Sequence, residues 1–103
     1  MERELHALAE PNRRDILKLI LDREQTVSEI ASHFSLSRPA ISQHLRVLLD
    51  AGLVSERREG TKHYYSAEAE SFDALIVSLR EFWSEGLKNL KKTAEAEEQN
   101  KKN

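Results

Sequence analysis

Cysteine is absent from the 103 residues, which removes disulfides, thiolate nucleophiles, iron–sulfur clusters and thiolate metal sites together. Glycine occurs three times and proline twice, and no phosphate-cradling glycine loop can be assembled from so few. A nucleophile–base pair with a supporting motif is missing as well, so no enzyme is expected. No apolar run approaches the ~20 residues of a membrane span. The opening stretch MERELHAL is acidic and polar, unlike a signal peptide, and a cytoplasmic location is expected. An excess of either charge sign is lacking too: sixteen Lys+Arg against eighteen Asp+Glu leave a formal net charge of -2. That sum excludes a polybasic protein but not a local basic patch. The length suits one domain, small enough that a partner subunit would add usefully to its buried surface.

What is present is helical period. Residues 2–9 read as a short amphipathic turn or two, with Leu5 and Leu8 on one side. Pro11 suits a helix start, and Ile16, Leu17, Leu19, Ile20 and Leu21 behind it form a dense apolar block. Thr26-Val27-Ser28-Glu29 reads as a capping box opening a short helix with Val27, Ile30, Ala31 and Phe34 on its buried face. Ser35-Leu36-Ser37 ends it, and Ser37 is the expected N-cap of a further helix that carries Ile41, Leu45, Leu48 and Leu49. Gly52 falls where a helix C′ glycine belongs. Two such helices joined by a short turn suggest a helix-turn-helix.

After Gly52 the period changes. Residues 53–58 and 62–66 are extended candidates around Glu59-Gly60-Thr61, with Val54, Tyr64 and Tyr65 favouring strand. A two-stranded hairpin directly after a helix-turn-helix is a wing. Helical period then returns: Phe72, Leu75, Ile76, Leu79, Phe82, Trp83, Leu87 and Leu90 form one apolar stripe. Three small helices and a hairpin do not need so long a cover, so part of the stripe is expected to face a second subunit. Gly86 inside the stripe implies a close approach or a bend. The expected organisation is a domain over residues 1–94 and a polar, disordered tail over 95–103.

Charge is unevenly placed. Residues 1–36 hold five basic and seven acidic groups, residues 67–103 six and eight, and residues 37–66 five and three. The single net-basic segment is the candidate recognition helix and wing. At 100° per residue, Arg38, Ser42, Gln43, Arg46 and Asp50 point away from the Ile41/Leu45/Leu48 stripe. Arg reads guanine and Gln reads adenine in bidentate fashion, and Ser suits a base or a phosphate. Arg38, Ser42 and Gln43 are thus the expected base-edge contacts, with Arg46 at phosphate and Ser37 and His44 beside them. In the wing Arg57, Arg58, Lys62 and His63 surround the tip, within reach of the backbone or minor groove. Strand alternation points Arg57 and Arg58 in opposite directions.

The stretch SRPAISQHLRVLLDAGLVSERREGTKHYY resembles the ArsR/SmtB family of winged-helix transcriptional repressors. There a recognition helix ending HLxxLxxAGLV leads into a wing of RRxGxxxYY type. The matching residues are Ser37, Ser42, His44, Leu45, Leu48, Ala51, Gly52, Leu53 and Val54, then Arg57, Arg58, Gly60, Tyr64 and Tyr65. ALAEPNRRDILKLI upstream resembles the family's start, and the likeness covers roughly residues 5–90. It implies a mainly α fold with a small β-hairpin wing, dimerising through its first and last helices. Leu5, Leu8, Leu75, Leu79, Phe82, Trp83, Leu87 and Leu90 are the expected dimer interface. It also implies repression at a double-stranded DNA operator built from inverted half-sites, about one helical turn apart or a multiple of it, and the regulator's own operon is a candidate target.

Many members of that family sense metal through cysteine in the helix before the recognition helix, or through Asp, His and Glu on the last helix. Here the first place reads TVSEIASHF, and the last helix holds Asp73, Glu81 and Glu85 but no histidine. No metal site and no cofactor are therefore expected, and any effector is unidentified. The alternatives are a winged helix that binds protein rather than DNA, and a repressor gated by a small molecule or a metal.

Overall fold

A computed structural model describes residues 1–101, with side chains through residue 95. Its elements are α1 (Glu2–Leu8), α2 (Pro11–Leu21), β1 (Gln25–Thr26), α3 (Val27–Ala31), α4 (Arg38–Asp50), β2 (Val54–Glu59), β3 (Lys62–Ala67) and α5 (Ala69–Lys101). Each helix of the central part starts where a side-chain oxygen accepts an otherwise unpaired N–H. Glu10 Oε2 accepts from Arg13 N at 3.0 Å, Thr26 Oγ1 from Glu29 N at 3.2 Å and Ser37 Oγ from Ala40 N at 3.3 Å. Caps of this kind contribute roughly 0.5–2 kcal/mol each. Pro11 and Pro39 lie in first turns, where their missing N–H is no loss.

The end of α4 fixes the approach to the wing. Gly52 adopts φ +76°, its N–H reaches Leu49 O at 3.0 Å, and Leu53 N–H reaches Leu48 O at 3.1 Å. This pair of bonds is a Schellman motif, and it turns Leu53 back into the core. The α1 C-terminus is held from α2: Arg13 Nε donates to Ala7 O at 2.7 Å and Arg14 to Leu8 O at 2.7 Å. Cations on the last carbonyls of a helix also oppose its dipole. These arginines therefore dock α1.

The core gathers Ala7, Ile16, Leu17, Ile20, Ile30, Ile41, Leu45, Leu48, Leu53, Val54 and Tyr65. The expected hairpin is present, with Arg57 opposite Tyr64 and Arg58 opposite His63. The sheet has one strand more than the sequence predicts: β1 pairs antiparallel with β3, giving the order β1-β3-β2. Two residues are too few to show a period. Buried Gln25 secures the strand by donating Nε2–H to Leu19 O at 2.9 Å.

Helix α5 spans 33 residues, about 50 Å at 1.5 Å per residue. Phe72 packs on the core and Leu75 is buried, whereas Ile76, Val77, Phe82, Trp83, Leu87 and Leu90 are exposed. A Cβ on Gly86 would meet nothing within 4 Å. The backbone of the expected tail is helical as far as Lys101; the side chains of 96–101 and all of 102–103 lie outside the described residues. Among the described residues no helix is long and apolar enough to cross a membrane.

Candidate nucleic-acid interface

Helix α4 buries Ile41, Leu45 and Leu48 at 0–1% exposure, which fixes its rotation. Ser37, Arg38, Ser42, Gln43 and Arg46 are exposed as a consequence. The only carboxylate in ion-pair range of Arg46, among the described residues, is Asp50, one turn on at 3.4 Å. Such an exposed pair is weak and easily exchanged for another partner. The face therefore offers two guanidinium groups, an amide and two hydroxyls, donors suited to base edges and phosphates.

His44 sits apart from them. It is half-buried, and its Nδ1 lies 3.9 Å from Glu10 Oε2, the carboxylate that caps α2. Its ring thus turns toward the α2 N-terminus rather than along the exposed face.

The wing cations are engaged to different degrees. Arg57 donates to both carboxylate oxygens of Glu24, at 2.5 and 3.2 Å, and to Glu59 at 2.9 Å. Its guanidinium carbon lies 4.6 Å from the Tyr64 ring centroid, in cation–π range. Arg58 and His63, on the other face of the hairpin, share Glu56: Arg58 at 3.5 Å, His63 in a short hydrogen bond. Arg57 holds the Glu24 carboxyl below its ordinary value, and the His63 hydrogen bond, aided by Arg58, does so for Glu56. Lys62 is exposed beside the tip, where Gly60 makes the turn at φ +62°. Glu24 was not legible as part of this cluster, because it lies 33 positions from Arg57 and only the strand β1 brings it there.

The candidate dimer residues divide. Leu5 and the α5 residues Phe82, Trp83, Leu87 and Leu90 are exposed, at 41% for Leu5 and 57–68% for the others. Leu8 and Leu79 are half-buried, and Leu75 is buried within the chain at 6%. Phe82 and Trp83 meet edge to face with centroids 5.8 Å apart. Among the described residues no group of three or more His, Asp or Glu is placed to hold a metal.

A short helix–turn–helix followed by a β-hairpin and a long C-terminal helix is a winged helix-turn-helix, the fold of a DNA-binding class of proteins. The family model described as "Bacterial regulatory protein, arsR family" matches residues 10–56. The HTH-type transcriptional regulator Rv2034 of Mycobacterium tuberculosis is 38% identical over 86 residues, 84% of this chain and 80% of that protein. The transcriptional repressor SdpR of Bacillus subtilis is 36% identical over 80 residues, 78% of this chain and 89% of that protein. Among solved structures, a homodimeric winged helix-turn-helix DNA-binding domain from Mycobacterium bovis superposes with a TM-score of 0.66 at 34% identity, covering 84% of this chain and 80% of that one. The chain belongs to the arsR family of bacterial regulatory proteins, a family of transcriptional regulators rather than enzymes.

Proposed function

We propose that this regulator is a cytoplasmic homodimeric repressor that reads an inverted-repeat operator through α4, with one recognition helix in each half-site. The observation that carries this is the exposed face of α4, where Arg38, Ser42, Gln43 and Arg46 project together from a helix locked by Ile41, Leu45 and Leu48. A helix of this kind fits the major groove, and its first turns reach base edges. Arg38 and Gln43 are assigned to bases, Ser42 to a base or phosphate, and Ser37 and Arg46 to phosphate. His44 supports the helix from behind through Glu10 and makes a secondary contact at most.

Dimerisation is assigned to the open face of α5 with α1. Phe82, Trp83, Leu87 and Leu90 recur at helical spacing on one side, and Gly86, half-buried among them, leaves room for a partner backbone to approach. An apolar stripe of this length left in water marks an interface. Leu75, already buried in its own chain, contributes mainly to the protomer. Repression follows from occupying promoter DNA, and autoregulation from an operator upstream of the regulator's own coding sequence. No metal or cofactor takes part.

The test is a gel-shift titration against the DNA upstream of the coding sequence, with random duplex as competitor at moderate salt. Preference for one inverted repeat, steeply weakened by added salt, is expected. Equal affinity for random duplex would refute the repressor assignment.

A further inference from the structure

Three cationic side chains and a histidine cluster in the wing, and their partners differ. Arg57 is engaged on every side: two oxygens of Glu24, one of Glu59 and the face of Tyr64. The geometry has a topological logic. Thr26 of β1 lies opposite Tyr64 of β3, which lies opposite Arg57 of β2. Side chains at paired positions, and at positions two apart on one strand, share a sheet face. Glu24 lies just before β1, and its hydrogen bonds with Arg57 link the approach to β1 with β2 on the far side of β3. A planar guanidinium suits this double task, because it binds a carboxylate through two N–H groups and stacks on an aromatic ring at once. Lys62 stands on the same face as Arg57 and Glu59 by strand alternation, and among the described residues it has no carboxylate in ion-pair range.

We infer that Arg57 is a positioning residue, clasping the wing to the turn before β1 through Glu24 and Tyr64, and that Lys62 rather than Arg57 supplies the wing's phosphate contact on that face. The inference rests on the DNA-binding role proposed above. The clasp holds the hairpin at a fixed angle to α4, so that the tip meets the backbone when α4 enters the groove. It also explains how a wing carrying Glu56 and Glu59 serves a polyanion. Those carboxylates are occupied by the wing's own arginines and histidine.

The two roles of Arg57 predict opposite responses to loss of Glu24. If Arg57 grips phosphate, Glu24→Ala frees the guanidinium and removes a negative charge, and operator binding tightens. If Arg57 is a clasp, Glu24→Ala weakens binding by about two- to fivefold, the scale of a well-formed surface ion pair. Arg57→Ala then does the same, and the double variant is no weaker than either single one. The slope of log K against log salt separates the two further. The clasp leaves it unchanged in Arg57→Ala, whereas Lys62→Ala reduces its magnitude by about 0.9, one phosphate contact. Arg57→Lys, which keeps the charge but not the fork, fails to rescue a clasp.

Tighter binding by Glu24→Ala, or a salt slope reduced by about 0.9 in Arg57→Ala, overturns the inference. Amide hydrogen exchange of β2 and β3 without DNA gives an independent reading. Faster exchange near the tip in both Glu24→Ala and Arg57→Ala is expected, and unchanged exchange in both refutes the clasp. A chain that binds no operator at all would count against the repressor assignment alone, because the exchange measurement still decides the clasp.

Discussion

Helices α4 and α5 are both amphipathic, and they treat their apolar sides in opposite ways. The α4 stripe of Ile41, Leu45 and Leu48 is buried to 0–1% exposure on the side of α4 that packs with α1, α2, α3 and β2. The α5 stripe is covered only over its first turns, where Phe72 packs on the core, Leu75 is buried and Leu79 half-buried, and it then leaves Phe82, Trp83, Leu87 and Leu90 more than half exposed. The same sequence period thus serves two tasks. Where the chain can fold back on the stripe, it makes a closed head, proposed above to read DNA. Where it cannot, the stripe stays open to solvent, and it is the face proposed above for the dimer. Stability of the head and assembly of the dimer should therefore be separable by mutation.

The largest expected effect lies in the closed stripe. Leu48→Ala should destabilise the protein by about 2–5 kcal/mol through lost burial and the cavity left behind, a large part of a typical domain's stability. Urea denaturation at fixed protein concentration measures it, and a loss below about 1 kcal/mol would mean that α4 is not locked as described. In the open stripe, Trp83→Asp should instead sediment as a monomer at concentrations where the parent is a dimer, and should lose operator affinity with it. The circular dichroism of the head should persist. A variant still dimeric would place the interface elsewhere and remove the contrast between the two helices.

Smaller effects sharpen the reading face. Arg38→Ala and Gln43→Ala should each relax base preference by about 1–3 kcal/mol at one position per half-site, which a binding-selection experiment reads directly; an unaltered preference would leave only phosphate roles for them. The smallest effect concerns the wing carboxylates. Glu24, hydrogen-bonded by Arg57, and Glu56, hydrogen-bonded by His63, are both held below the ordinary glutamate value of 4.5. A lowered folded value means that their contribution is fully present above that pH and is lost as pH falls through the lowered value. Both groups are near the surface, so the effect on overall stability is slight. Carboxyl-carbon NMR titration should give midpoints below 4.5 for both, and midpoints at 4.5 or above would contradict the ion pairs.

Much of the architecture was legible because it is written in short-range signals. Thr26, Ser37 and Gly52 act as the caps their residue types predict, and Gly60 makes the hairpin turn at positive φ. The exposed arc of Arg38, Ser42, Gln43 and Arg46 followed from helical period alone, since a helix that buries Ile41 and Leu45 must expose them. The period did not reveal which of those polar residues have neighbours. His44 flanks the arc yet turns toward Glu10, and Leu75 lies on the α5 stripe yet is buried in its own chain. Nor did the period reveal that the guanidinium groups of Arg13 and Arg14 close the carbonyl end of α1.

The sequence by itself determined the helix starts at Pro11, Thr26 and Ser37, the stop at Gly52, the turn of the wing and the polar face of α4. Each depends on residues within a few positions of one another, where backbone geometry fixes the spacing. Only the tertiary structure decided the third strand, the burial of Leu75 and the engagement of Arg57 by Glu24. These join residues far apart in the chain, and their meeting depends on how α2, β1 and the hairpin pack, which no local period encodes.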